Sequence, residues 1–153
     1  MYMAVVMLTM AILPLVSIAI EHAAYPSLGL LLLVGRWFVF WGVGVRLFLA
    51  GIRQIYQPAF TAREIFGFRG DEALPVICEL GIANLAIGIV ASLSLVFHDF
   101  VLAAAIYGSV FYGVAGVRHA GMRNRLPHQN IALISDLLIA LVLLCFVGLR
   151  CMA

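Results

Sequence analysis

One stretch decides the fold: residues Leu28–Ile52 read LGLLLLVGRWFVFWGVGVRLFLAGI. As a helix rising about 1.5 Å per residue, this stretch is longer than the ~30 Å hydrocarbon core of a bilayer. It shows no strict alternation of apolar and polar residues, which excludes a transmembrane β-strand. The sequence therefore predicts a membrane-spanning helix that carries two arginines, Arg36 and Arg46, inside an apolar run.

Four more stretches of this kind accompany it. The chain of 153 residues is 65% hydrophobic and only 10% charged, whereas soluble domains carry about 25% charged residues. We therefore predict an all-α fold: an integral membrane helical bundle of five transmembrane helices, with residues 1–153 forming a single transmembrane domain. The first helix is interpreted as uncleaved, because no basic residue precedes it. The other predicted spans are Met3–Ile20, Leu74–Phe97, Phe100–Val117 and Ile131–Leu149.

The arginines predict the orientation of this bundle. All nine basic residues are arginines, and short loops rich in arginine stay on the cytoplasmic side of a membrane. With five spans, the side of the N-terminus holds six loop arginines and the opposite side holds Arg150, so we expect the N-terminus in the cytoplasm and the C-terminus outside. The net charge of +2 gives no reason to expect a nucleic-acid partner. The six arginines are Arg53, Arg63, Arg69, Arg118, Arg123 and Arg125.

Residues 54–73 form the longest connection, and we predict a cytoplasmic loop with a short interfacial helix there. Pro58 suits the first turn of a helix, and Thr61 with Glu64 has the spacing of a capping box. Aromatic side chains among the arginines favour a helix that lies in the membrane interface. Gly67 is expected to end it.

Charged side chains inside the apolar stretches are the candidate functional residues. An ionised group in mid-bilayer costs about 2.5–3.5 kcal/mol on insertion scales, so it usually has a partner. Counted from their helix ends, Arg46, Glu79 and Asp136 all lie roughly 8–10 Å inside the cytoplasmic boundary. We therefore predict a buried polar cluster made of Arg46, Glu79, Asp136, Asn84, Arg118 and His119.

One arginine cannot neutralise both carboxylates of this cluster. Either Arg118 or His119 supplies a second cation, or one carboxyl group is protonated. Three interpretations stay open: a structural clamp that fixes helix register, a proton or substrate site, and a contact with lipid head groups. Arg36 is separate, because it lies in the outer half of its helix and is expected to reach Glu21 or Asp99.

Small residues at steps of four predict where helices pack. Such residues let the backbones of two membrane helices approach closely. On this basis the third and fourth helices are expected to pack against each other as a hairpin, joined by the tight turn His98-Asp99. The predicted packing residues are Gly42, Gly88, Ser92, Ser109 and Gly113.

No metal site and no catalytic residue are predicted. The three cysteines have no C-x-x-C spacing, which argues against a thiol–disulfide enzyme or a thiolate metal site. The pairs Glu21-His22 and His98-Asp99 share one face and have ligand chemistry suited to a divalent ion, but no sequence spacing joins them. Polar residues at helix ends are the simpler interpretation.

Two segments, residues 57–67 and 79–88, read QPAFTAREIFG and ELGIANLAIG. They resemble a family of uncharacterised bacterial multi-pass membrane proteins that is broadly DoxX-like. That family is a four-helix membrane bundle with a glutamate early in its second core helix and a glycine nine residues later, a spacing that Glu79 and Gly88 share. The resemblance implies a DoxX-like four-helix core plus an N-terminal helix, in a bacterial inner (cytoplasmic) membrane. DoxX-type proteins are linked to thiosulfate:quinone oxidoreductase and to membrane redox or assembly roles.

The expected function is that of a small non-catalytic accessory or assembly subunit that packs against a larger membrane complex. Small size and glycine-rich helix faces favour partners that are other membrane subunits or a second copy, besides the lipid bilayer. One alternative is a membrane protein that binds quinone or another apolar ligand and is linked to redox chemistry. Another is a small proton-coupled transporter. No cofactor is predicted, although quinone and lipid are possible ligands. The sequence favours a non-catalytic protein over an enzyme.

Overall fold

Five long helices form the body of the molecule in a computed structural model that describes residues 2–122, 125 and 127–152. Each is long and apolar enough to cross a membrane, so the predicted all-α fold with five spans is confirmed. A short helix, α3, occupies residues 58–65, and no strand occurs in the residues described. Arg123, counted above for the orientation, lies outside the described residues. The spans are α1 (Tyr2–Ala24), α2 (Leu30–Tyr56), α4 (Leu74–Leu95), α5 (Phe100–Ala120) and α6 (Pro127–Met152).

Wider π-helical turns interrupt two of the spans. In α1 they cover Leu8–Ile12, and in α2 they cover Val39–Val45. Such turns are often found near functional sites. In α2 they are held from outside the helix, since the Tyr112 hydroxyl on α5 donates a hydrogen bond of 2.7 Å to the Gly42 carbonyl. Regular α-helix resumes at Arg46, so the distortion helps to determine the face on which this arginine lies.

Replacing Tyr112 by Phe is expected to lower the free energy of unfolding by about 1–3 kcal/mol. The substitution removes the donor to Gly42 and leaves a buried carbonyl without that partner, because Tyr112 is buried in the bundle. Unfolding in mixed detergent micelles measures the loss. Tyr107→Phe on the same helix is the control, since the Tyr107 hydroxyl has no hydrogen bond within the described part of the chain. An equal loss in both variants would contradict this role of Tyr112.

Glycines bring α2 and α4 into close contact along their length. A methyl group at Gly88 of α4 would lie only 2.5 Å from the backbone nitrogen of Phe48 on α2. One at Gly44 would lie 2.7 Å from the hydroxyl oxygen of Ser92. The two backbones therefore approach to a distance that leaves no room for a side chain at these positions.

The predicted hairpin between the third and fourth spans is wrong, because α5 packs mainly on α6 and only lightly on α4. Gly113 faces Ala140 on α6, and Gly42 of α2 faces Ile139 on α6. The hydroxyl of Ser109 donates within its own helix. The small residues of α4 meet the glycines of α2 instead, since a short connection between α4 and α5 does not require the two helices to share their closest faces.

At one end of the bundle, ion-pairing and hydrogen-bonding side chains connect α1, α2 and the turn between α4 and α5. Glu21 of α1 pairs with Arg36 of α2 and accepts a hydrogen bond of 2.6 Å from the Trp37 indole nitrogen. Arg36 also lies 2.9 Å from Nε2 of His98, between α4 and α5. The expected contact of Arg36 with Glu21 is therefore confirmed. In the part of the chain described, no group of three or more His, Cys, Asp or Glu residues is arranged to hold a metal ion.

Candidate functional site

The end of the bundle opposite Glu21 contains a cavity of about 290 Å³. All five spans and α3 contribute to its wall. Its volume is close to the lower limit of ligand pockets, which measure roughly 300–1,000 Å³. Most of the lining is apolar, and a group of polar side chains projects into it. The charged and amide-bearing members and the histidine are Arg46, Arg53, Gln54, Asn84, His119 and Asp136.

Helix α3 lies at this end of the bundle and forms part of the cavity wall. Thr61 lines the cavity and is buried, as is Ala62 beside it. Tyr2 of α1 packs on Phe60 of α3 with ring centroids 5.9 Å apart, and on His128 of α6 at 5.4 Å. The short helix predicted in the loop of residues 54–73 is thus present, and it contributes to a cavity wall as well as to the surface of the bundle.

Two polar pairs join helices across the cavity wall. Asn84 of α4 donates through Nδ2 to Oε1 of Gln54 on α2 at 2.8 Å, and both side chains are buried. Nε2 of His119 on α5 lies 3.9 Å from a carboxylate oxygen of Asp136 on α6. At this distance the imidazole and the carboxylate can interact electrostatically, but they are too far apart for a hydrogen bond. The packing of the spans therefore fixes the positions of these four groups.

Two arginines of α2 rest their guanidinium groups on aromatic rings at the cavity. Cζ of Arg46 lies 5.7 Å from the ring centroid of Tyr2, and Cζ of Arg53 lies 3.5 Å from that of Phe60. Such cation–π contacts contribute about 0.5–2 kcal/mol each. Neither arginine forms an ion pair with any residue that the structure describes. Both cations are thus positioned at the cavity without a described carboxylate at ion-pair distance, although Arg46 is close enough to Asp136 to interact with it electrostatically.

Four buried side-chain nitrogen and oxygen atoms of the described residues have no hydrogen-bond partner, and all four belong to residues that line this cavity. A buried polar atom left without a partner costs about 1–3 kcal/mol, so such atoms are few in folded proteins. Their concentration in the lining of one cavity makes this cavity the candidate functional site. The atoms are Nε of Arg46, Nε of Arg53, Oδ1 of Asn84 and Nδ1 of His119.

The structure gathers four members of the predicted polar cluster at the cavity, and it separates two from them. Glu79 is exposed on the outer surface of α4, so its predicted place in a buried cluster is wrong. The inward face of α4 at this depth carries Leu80 and Asn84 instead. Arg118 is also exposed, with its guanidinium carbon 4.7 Å from the ring centroid of Phe66. The residues brought together are Arg46, Asn84, His119 and Asp136.

Arg53 and Gln54 also line the cavity, and neither belongs to the predicted cluster, because Arg53 was expected in the loop that follows the second span. Arg53 instead belongs to the last turn of α2. It follows Arg46 by seven residues, which is two helical turns and places both side chains on one face. That spacing could have identified it. With Glu79 and Arg118 outside the cavity and Arg53 in its lining, two guanidinium groups accompany the single carboxylate of Asp136 among the described lining residues, so positive charge is in excess.

Comparison with known proteins gives one match. A family model described as "Family of unknown function (DUF6790)" matches residues 1–151. Neither the curated proteins nor the solved structures give a match to this chain. The matched region includes all five spans and every residue of the cavity.

Proposed function

The chain belongs to the DUF6790 family of unknown function, and we propose that it binds an amphipathic small molecule in the cavity between its spans. The observation that carries this proposal is that every buried side-chain nitrogen or oxygen without a hydrogen-bond partner, among the described residues, belongs to a residue that lines that one cavity. The alternative of an apolar-ligand-binding membrane protein, raised from the sequence, is therefore preferred over a purely structural role for the charges. A polar clamp would pair its charges, and neither Arg46 nor Arg53 is paired with a carboxylate.

The composition of the cavity wall supports an amphipathic ligand. Aromatic and aliphatic side chains such as Leu47, Phe111 and Ala115 surround the polar groups. Sites for small molecules usually combine an apolar lining with a few polar groups that fix the orientation of the ligand. Leu49 lines the cavity and is 41% exposed, so the cavity is open along this side of α2. A ligand with its polar part inside could thus extend its apolar part toward the lipid.

Filling the cavity tests this proposal. Ala115→Phe inserts a phenyl group into the cavity and is expected to remove a retained amphipathic molecule from the purified protein. Val114→Phe is the matched control, because Val114 is the neighbouring residue of α5 and is 67% exposed on the outer surface. Mass spectrometry of molecules extracted from both proteins, purified in the same mild detergent, measures retention.

Retention of the same molecule by the wild-type protein and both variants would contradict a binding site in this cavity. So would a wild-type protein that retains no molecule and binds none that is added. Thermal unfolding of Ala115→Phe establishes that loss of the ligand is not loss of the fold. Ala132→Leu, at a second buried lining position on α6, provides an independent way to reduce the volume. Both cavity variants are expected to act alike.

A second candidate function is the accessory or assembly subunit expected from the sequence. It is favoured by Glu79, an ionisable side chain exposed on the outer surface of the membrane-spanning helix α4. A carboxylate facing lipid is unfavourable, and a neighbouring subunit or a second copy would cover it. Purification of the wild-type protein in mild detergent is expected to yield a complex. Glu79→Leu is expected to disrupt this complex if Glu79 lies at the interface and to leave it intact if it does not. A stable monomer of the wild-type protein counts against this function.

The orientation of the protein in its membrane and its relationship to DoxX-like proteins are part of the same proposal. The N-terminus is proposed to lie in the cytoplasm, the C-terminus outside, and the membrane to be the inner membrane of a bacterium, on the arginine distribution and on the DoxX-like segments. The ring contacts of Tyr2 with α3 and α6 support part of it, since they gather the start of the chain and the arginine-rich connections at one end of the bundle. A cysteine introduced near either terminus and tested for labelling by an impermeant reagent measures the orientation.

A further inference from the structure

We infer that the polar part of the ligand is a single anionic head group, a carboxylate or a phosphate monoester, joined to an apolar chain. This inference rests on the proposed function, because it names the chemistry of the molecule that the same cavity takes. It differs from the quinone considered above, whose head group is neutral. The charges of the cavity, its hydrogen-bond donors and its size support an anionic head group.

The charges of the cavity favour an anion. Arg46 and Arg53 are both ionised at any physiological pH, and Asp136 is the one carboxylate among the described lining residues. Even with Asp136 ionised and His119 neutral, one positive charge remains in excess. An uncompensated charge in a low-dielectric site is unfavourable, and an anionic head group removes that cost. A neutral quinone would leave the excess charge in place.

The donors of the cavity match the oxygens of such a head group. The guanidinium groups of Arg46 and Arg53 supply N–H donors at the cavity, and such groups bind carboxylates and phosphates in a planar, directional way. The cation–π contacts with Tyr2 and Phe60 help to position the two groups. The unpartnered atom of Asn84 is the amide oxygen Oδ1, which accepts, and Nδ1 of His119 donates or accepts according to the tautomer of the ring. The donors that favour an anion at the polar end of the cavity therefore come from the two guanidinium groups.

The size of the cavity limits how much of the ligand it encloses. About 290 Å³ accommodates a head group and the first part of one chain, since pockets that enclose whole drug-sized ligands extend to about 1,000 Å³. The rest of the chain would leave past Leu49, where the cavity is open. A single-chain anionic amphiphile fits these limits, and such a molecule reaches the site from the bilayer itself.

Binding to the purified full-length chain in a neutral detergent tests the inference, with palmitate as the probe and calorimetry as the measurement. Palmitate is expected to bind at least about tenfold more tightly than its uncharged methyl ester. Arg53→Gln is expected to weaken palmitate binding by about 10- to 100-fold, the range for a lost hydrogen bond to a charged group. Arg69→Gln, which removes the same charge from an exposed loop position outside the cavity, should leave the affinity unchanged. Arg53→Lys keeps the charge and should restore part of the binding.

Two results would overturn the inference. One is equal binding of palmitate and its methyl ester, and the other is an equal loss in Arg53→Gln and Arg69→Gln. Inorganic phosphate is the probe for a free anion. If it displaces palmitate at a comparable concentration, the site does not require an apolar chain on its ligand. If the ester or a short-chain ubiquinone binds tightly and Ala115→Phe abolishes that binding, the charge inference fails while the proposed function stands. If neither kind of molecule binds to the wild-type protein, both fail.

Discussion

Gly88→Ala is expected to destabilise the protein by about 3 kcal/mol, which is the upper part of the range for overpacking a close-packed site. The added methyl group would lie 2.5 Å from the backbone nitrogen and 2.8 Å from Cα of Phe48. Both neighbours are backbone atoms of α2, so no side-chain rotation relieves the contact. The two helices must move apart, and the close approach along the whole interface is lost. The loss of unfolding free energy in mixed detergent micelles is the measurement.

Gly113→Ala is the matched control for that substitution. Gly113 is also a helical glycine that the sequence predicts as a packing residue, but a methyl group there would lie 3.8 Å from Cβ of Ala140, an ordinary contact. Since alanine favours a helix over glycine by about 0.5–1 kcal/mol, Gly113→Ala is expected to be neutral or slightly stabilising. Equal losses in the two variants would contradict the close approach of α2 and α4. Gly51→Ala, with its methyl group 2.6 Å from the backbone nitrogen of Leu85, should behave like Gly88→Ala.

Asp136→Asn is expected to tighten the binding of palmitate by about tenfold or more. The substitution removes the one carboxylate among the described lining residues of the cavity, and with it the repulsion of an anionic head group. Charges about 4 Å apart interact with roughly 1–4 kcal/mol between bulk water and a protein surface, and 1.4 kcal/mol corresponds to tenfold. The sign separates two kinds of ligand, because a head group that donates a hydrogen bond to Asp136 would bind more weakly to the variant.

Glu79→Gln makes the same change of charge and shape on the outer surface of α4. It is expected to leave the affinity for palmitate unchanged, which makes it the control for Asp136→Asn. Both substitutions are measured by the same titration in the same detergent. A loss of binding in Glu79→Gln would return Glu79 to the site and would contradict the position that the structure gives it.

The spans were accessible from the sequence because apolar length alone predicts them. Leu28–Ile52 predicts α2 to within a few residues at each end. The start of α6 was less accessible, since its first turn contains His128 and Gln129 and resembles a loop in hydropathy. Here the side chains are held by other elements: Gln129 donates to the Ile65 carbonyl at 2.9 Å, and His128 lies 3.5 Å from Glu64. Tertiary contacts stabilise a helical turn that its own composition does not favour.

The candidate site was only partly accessible from the sequence. Counting residues along a helix gives depth, and by depth Arg46 and Asp136 do lie in one cavity. Depth does not give the direction of a side chain around the helix, which is why Glu79 was expected inside and lies outside. The π-helical turns of Val39–Val45 add to this difficulty, because a regular repeat cannot be carried through them. Predicting Arg53 required knowing that α2 continues beyond the apolar run.

The contact between Tyr2 and His128 has a consequence for the biogenesis of the protein. The cavity wall includes the first turn of α1 and the first turns of α6, so almost the whole chain must be synthesised before the wall is complete. At about 5–20 residues per second, the interval between the synthesis of Tyr2 and that of Asp136 is roughly 7–27 s. Between the synthesis of α2 and that of α5 and α6, the helix bearing Arg46 and Arg53 lacks these two partners. A nascent chain arrested before α6 should therefore be a substrate for membrane quality control.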